Sequence, residues 1–437
     1  MNKIIQKITS VVGILSILSG IFVQPALAST VVWNVGDVFA GVGGGTYNIY
    51  DNSGVSKDTI SDGLGGFTTG CSFNGTLDKL YTTNFSNTKV EVYDNAVPHT
   101  LSQTIDTAVN GGASSESVVF ASNGDFYVGH ADGNHQLQKF NAAGIFQLAY
   151  AAAIENRGTD WNDLASDQKT MFYTSEGTHV KRFDVSTSTQ LTDFNTVALL
   201  GVNAYALRLL PPGDGTGGLL VADSADIKRL DGTGAVVQSY DAPGEDSWFA
   251  LNLDPNGTSF WAGDFGTNNF YRFNIASGVV EVGPIASGGS LFGLCVKGEL
   301  TAAKPLPGTM TGGGSVFTAD GKRVTHGFEL QCDKSKNPNS LEVNWGGNRF
   351  HLESLTSAAC TDDPTIKPNP PAAGFDTYVG KGTGRYNGVT GATAEWTFTD
   401  AGEPGKNDTA KLVIKDAGSN VVLSVSGNLK SGNQQAH

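Results

Sequence analysis

A phrase written in three short strands returns along this chain every 43 to 46 residues, and a strand-built period of that length is the mark of a propeller blade. Residues 67–95 read FTTGCSFNGTLDKLYTTNFSNTKVEVYDN, 116–144 read ESVVFASNGDFYVGHADGNHQLQKFNAAG, and 161–187 read WNDLASDQKTMFYTSEGTHVKRFDVST. Two further units begin at Tyr205 and Phe249. Each holds an apolar strand, a turn of Gly, Asn, Asp or Pro, a second strand such as FYVG, a polar turn and an alternating third strand such as QLQKF, which are hairpin signals in series. The inner strands start near Val118, Leu164, Leu207, Leu251 and Leu294.

Both ends of this region are fragments. Residues 291–297, LFGLCVK, are an inner strand with nothing after it, and 37–52, DVFAGVGGGTYNIYDN, are later strands with no inner strand before them. Pairing 31–62 with 290–298 closes a ring of six blades spanning 29–300 and removes the exposed sheet edges of an open array. Closure makes the strand of Cys295 a neighbour of the strand of Cys71. A Cys71–Cys295 disulfide would lock the ring; two buried free thiols are the alternative, since neighbouring inner strands often stand too far apart to be bridged.

After Glu299 the period stops at TAAKPLPG, a Pro-containing linker at 301–309, and a differently written module occupies 310–437. Its alternating segments at 327–332, 341–345, 393–399, 410–414 and 421–426 predict a small β-sandwich or barrel, and Cys332 and Cys360 inside it predict a second disulfide. Fifty-seven glycines and a charged fraction of only 16% agree with an all-β chain.

At the start, Lys3 and Lys7 precede an apolar run over 11–23 that ends in Ala26-Leu27-Ala28, the pattern of a signal peptide over 1–28. Export to the extracellular space, the cell surface or the periplasm follows, with no membrane span once the leader is removed. Two lysines leave with it, so the net charge of −14 becomes −16 and argues against nucleic acid as a partner.

The phrases LDPNGTSFWAGDF and LASDQKTMFYTSEG resemble the six-bladed propellers of the NHL, virginiamycin B lyase-like and SMP-30/gluconolactonase-like type, over residues 31–300. The resemblance implies the fold and leaves binders, lyases and lactonases as functions. GTGRYNG, TDAGEPGKNDT and the final GNQQAH resemble a C-terminal module that recurs on exported bacterial proteins and implies no activity.

Propeller ligands sit where the loops entering the inner strands converge. The polar residues at those places are Thr68, Glu116, Asp160, Asn162, Asn203, Tyr205, Asp246, Trp248 and Ser290, of which Glu116, Asn162, Asn203, Tyr205, Asp246 and Trp248 are the ligand-binding candidates. Acids and amides around one mouth can hold calcium, the metal with which a gluconolactonase-like enzyme would polarise a lactone. The glutamate, asparagine and aspartate motifs of that family match no defined positions here. A lyase-like site needs histidine and glutamate at the mouth, whereas His130, His135 and His179 fall in second hairpins. Catalytic residues are therefore not assigned. Asp400, Glu403 and Asp408 on one turn form a second calcium candidate, and Asp163 with Arg208, charges inside adjacent inner strands, predict a structural ion pair. The expectation is an exported binding protein for an extracellular protein, glycan or small molecule; the alternative is a metal-dependent hydrolase or lyase acting on a lactone or sugar acid.

Overall fold

The computed structural model describes residues 29–299, 308–333, 336–361, 366 and 373–437. The predicted signal peptide and nearly all of the predicted linker lie outside the described residues. The first region is six four-stranded antiparallel sheets, each with its first strand innermost. The inner strands Thr68–Phe73, Gly112–Phe120, Asn162–Leu164, Leu207–Leu209, Trp248–Leu253 and Gly293–Val296 neighbour one another in that cyclic order, so the ring is closed.

Closure joins the two ends as the strand pattern requires. Gly293–Val296 pairs with Val38–Gly41, Cys295 lying opposite Phe39, and Thr46–Tyr50 and Ser56–Ser61 complete that blade. Cys295 is bonded to Cys71 across the junction, their Cα atoms 5.4 Å apart. The inner strands approach so closely there that a Cβ on Gly293 would stand 1.7 Å from the Thr69 carbonyl oxygen, which only glycine avoids. Burial falls from the axis outward. Every residue of Thr68–Phe73 is buried, because blades pack on both of its faces, while the outermost strand Leu101–Asp106 of the same sheet buries only Ile105.

The C-terminal module is one curled nine-stranded antiparallel sheet, a half-barrel rather than a two-sheet sandwich. The five predicted strands fall in Arg323–Gln331, Ser340–Trp345, Val389–Thr399, Thr409–Lys415 and Val421–Asn428. Period-two alternation turns one face inward, and Val324, Phe328 and Leu330 meet Leu341, Val343, Trp396, Phe398, Leu412 and Ile414 in a single core. A sheet with one apolar face can bury it by curling on itself, without a second layer. Cys332 and Cys360 are bonded within this module. Four strands escape the alternation test: Thr309–Phe317, Asn348–Thr361, Thr377–Tyr386 and Ser431–Ala436. In the third, glycine replaces the inward apolar residue, since a Cβ on Gly380 would fall 2.4 Å from the Trp396 indole.

Candidate functional site

The segments that enter the inner strands share one face of the ring with the turns between second and third strands, and backbone bonds tie the two sets together. Thr159 N–H donates to the His130 carbonyl, Trp248 N–H to Ser224, Phe265 N–H to Ser247 and Phe85 N–H to Phe67. Residues in neighbouring entry segments and turns therefore meet at one mouth.

One half of the mouth is acidic. Glu116 and Asp160 are both buried, Glu116 raising the affinity of Asp160 for a proton and Glu176 raising that of both. Burial, followed by the Glu176 carboxylate, pushes the Glu116 carboxyl up to about 8, with Arg157 opposing. Burial, then Glu116 and Glu176, raises Asp160 well above the usual carboxylate range. Neither carboxyl oxygen of Asp160 has a hydrogen-bond partner among the described residues, and neither end of the Asn162 amide has one, although both residues are only 1% exposed. Arg157 belongs to the same cluster. Its Nε and second terminal nitrogen donate to Asp132 at 3.0 and 2.8 Å, its other terminal nitrogen donates to Glu176 at 3.1 Å, and its guanidinium lies 5.5 Å from the centre of the Phe85 ring.

The other half is aromatic. Tyr205, Phe249, Phe265, Phe292 and Phe67 form a continuous arc, with successive ring centres 4.7, 6.2, 5.2 and 4.5 Å apart. Phe67 and Phe265 are close to half exposed, at 49% and 45%. Asp246 is exposed beside the Ser247–Phe265 contact.

Of the predicted ligand-binding residues, the structure brings Glu116 and Asn162 into the acidic half, and Asn203 joins Tyr205 through a 3.0 Å hydrogen bond. Trp248 does not belong. It is fully buried in its own blade against Tyr271 and Phe273, and its indole N–H donates to Asp241, because the first position of an inner strand can turn into the sheet as readily as toward the axis. Thr68 is likewise occupied by the Thr46 carbonyl and the Gly43 N–H. Asp132, Arg157, Glu176, Phe265 and Phe67 were not among the sequence candidates. The signal for Asp132 and Glu176 is the second turn of their blades, where ADGN and SEGT place an acid beside glycine; Arg157 and Phe67 lie in entry segments.

The histidines are taken up locally. His130 meets the Gln136 carbonyl and is pushed down to about 4 by burial, His135 accepts from Gly158 N–H, and His179 lies 3.0 Å from Glu155. Among the described residues no three of His, Cys, Asp and Glu are grouped closely enough to hold a metal ion. On the C-terminal turn the carboxylates have other partners. Asp400 accepts from the N–H groups of Gly402 and Ala436, Asp408 from those of Ala401 and Gln434, and Glu403 from the Asn433 and Gln435 amides. These bonds tie the last strand, Ser431–Ala436, to the turn.

The ion pair predicted for Asp163 and Arg208 needs correction. Arg208 Nε donates to Glu299 at 2.8 Å, while Asp163 accepts the Leu209 N–H at 2.8 Å and feels Arg208 only through its field. Glu299 follows the ring-closing strand and there meets Arg208, the Asn252 amide and the Leu253 N–H of neighbouring inner strands. Proximity of adjacent blades does not settle which carboxylate the guanidinium reaches.

A proton linkage follows from the acidic half. Between about pH 4.5, where an unfolded glutamate ionises, and about pH 8, where Glu116 does, the folded chain holds a proton that the unfolded chain has released. Stability is therefore fullest at the acid end of that window and falls as pH rises. Glu91, also pushed up to about 8 by burial, acts in the same sense, and His130 and His326, pushed down to about 4 by burial, act in the opposite one. Glu116→Gln is therefore expected to make the melting temperature fall less, or rise more, than the parent's between pH 5 and pH 8, and a variant with the parent's slope contradicts the assignment.

No family model matches the sequence, and no curated protein matches it. Among solved structures, a chain of a nidogen/laminin complex is similar over 61% of this chain and 99% of its own, with a TM-score of 0.50 and 10% identity. The WD40 propeller domain of Doa1 covers 68% of this chain and 90% of its own, with a TM-score of 0.44 and 13% identity. The nidogen-complex likeness shows the propeller fold. Two disulfides fit an extracellular protein, and among the described residues no helix is long and apolar enough to cross a membrane.

Proposed function

We propose that the chain is an exported binding protein that takes its ligand at the entry mouth of the propeller. The observation that carries this reading is the joining of buried, unpartnered polar groups on Asp160 and Asn162 to an aromatic arc with two half-exposed rings. Unpaired buried polar atoms cost free energy that a bound partner can return, and solvated rings are surface a partner can cover. The NHL-like phrasing of the blades agrees, as does the origin of the nidogen chain in a complex between two proteins. The hydrolase or lyase alternative needs metal ligands converging on one point, and no observation favours it over binding.

The test is an array of extracellular proteins, neutral glycans and peptides probed with the parent and with a Phe67→Ala/Phe265→Ala variant. Binding that the double substitution weakens at least tenfold supports the mouth. Ligands bound equally by both proteins would move the site elsewhere.

A further inference from the structure

Resting on the mouth as the binding site, we infer that its ligand is a polypeptide segment that presents a guanidinium or ammonium group to Glu116, Asp160 and Asn162 while an adjoining apolar side chain lies on the Phe67–Phe292–Phe265 part of the aromatic arc. Three independent features lead there.

The first is a surplus of acid. Glu116, Asp132, Asp160 and Glu176 surround one guanidinium, that of Arg157, with His135 as the remaining titratable neighbour of Asp132. Arg157 satisfies Asp132 and Glu176, which leaves the two deeper carboxyls without a cation of their own. The second is the set of buried polar atoms on Asp160 and Asn162 without partners, which a cation with several N–H donors can satisfy together.

The third is that this mouth already shows how it holds a cation. Arg157 is gripped in a fork by Asp132, bonded to Glu176 and stacked over Phe85, the combination of carboxylate and ring that suits a guanidinium. At the rest of the rim Asp246 is exposed beside the arc, Asp62 bonds the Asn84 amide between the blades, and Lys89 begins the strand after that turn. An anionic ligand would meet these carboxylates at like charge. A neutral glycan could stack on the rings but would bring no positive charge to the deep carboxyls.

Binding of a cation makes the ionised form of the deep carboxyls more favourable, so each carboxylate that pairs with the ligand releases its proton to solvent. Glu116, with its carboxyl up at about 8 under burial and Glu176, is the group expected to release it near neutral pH.

The experiment uses the whole chain and two blocked peptides, Ac-Phe-Arg-Phe-NH2 and its neutral citrulline counterpart, titrated calorimetrically at pH 6, 7 and 8 in buffers of differing ionisation enthalpy. The arginine peptide is expected to bind at least tenfold more tightly than the citrulline peptide, to gain affinity from pH 6 to pH 8, and to release protons. Glu116→Gln/Asp160→Asn should erase the preference for arginine, and Phe265→Ala should weaken both peptides alike. The citrulline comparison is made on the parent and does not depend on any variant folding. Equal affinities, no measurable binding of the arginine peptide, or uptake instead of release of protons would overturn the inference. If a neutral glycan binds in a Phe265-dependent way while the peptides do not, the cationic ligand is wrong and the mouth stands. If nothing binds in a Phe265-dependent way, both fall.

Discussion

Glu299→Ala is expected to lower the stability of the propeller by about 3–5 kcal/mol, the usual result of removing one partner of a buried ion pair and leaving the other charged. Glu299 accepts from Arg208 Nε at 2.8 Å, from the Leu253 N–H at 2.7 Å and from the Asn252 amide at 2.8 Å, and both members of the pair have nearly fully buried side chains. Arg208 cannot shed its proton to become neutral, and burial leaves it little access to water. Asp163 supplies some field, but one of its oxygens is committed to the Leu209 N–H. Urea denaturation of the parent, Glu299→Ala and the apolar pair Arg208→Met/Glu299→Leu checks this. The pair should recover part of the loss, because the lone guanidinium is gone while Asp163 loses its cation and the Leu253 N–H and Asn252 amide lose their acceptor. A single variant within about 0.5 kcal/mol of the parent, the range of ordinary surface substitutions, would show that Arg208 reaches another partner or solvent.

Cys71→Ser/Cys295→Ser is the second large effect. The bond links positions 224 residues apart, so the chain-entropy account gives about 5 kcal/mol of stabilisation through the unfolded state, against about 3.5 kcal/mol for the 28-residue separation of Cys332 and Cys360. The ring adds a structural reason, since this junction is where the two ends of the propeller meet and opening it exposes sheet edges. Calorimetry of the two double variants should show a larger fall in the propeller transition for Cys71→Ser/Cys295→Ser than in the module transition for Cys332→Ser/Cys360→Ser. The reverse order would mean that the hydrogen-bonded pairing of Gly293–Val296 with Val38–Gly41 suffices to hold the ring.

The ring was readable because each blade is a local object. Strand, turn and alternating strand lie within about thirty residues, and the missing strand at each end had one place to go. The same reasoning reached the half-barrel strands that alternate strictly, such as Val389–Thr399, and passed over Thr377–Tyr386, where the inward positions after Tyr378 are glycines, Gly380 and Gly382 making room for Trp396. At the mouth it reached Glu116, Asn162, Asn203 and Tyr205 because their position relative to an inner strand is a sequence property. It erred on Trp248, whose direction depends on how the strand is twisted into its blade.

By itself the sequence determined the all-β class, six blades, the fragments that close the ring, and the segments that form its mouth, since period, turn chemistry and alternation are set by neighbours along the chain. Tertiary structure alone decided that Arg157 reaches Asp132 and Glu176, that the rings from Tyr205 to Phe67 form one arc, and that Arg208 pairs with Glu299 rather than Asp163. Those partners stand 16 to 91 residues apart or on opposite ends of the region. Which of several like side chains meets another at such distance depends on the relative placement of blades, and that is fixed by the packing of whole sheets rather than by any local pattern.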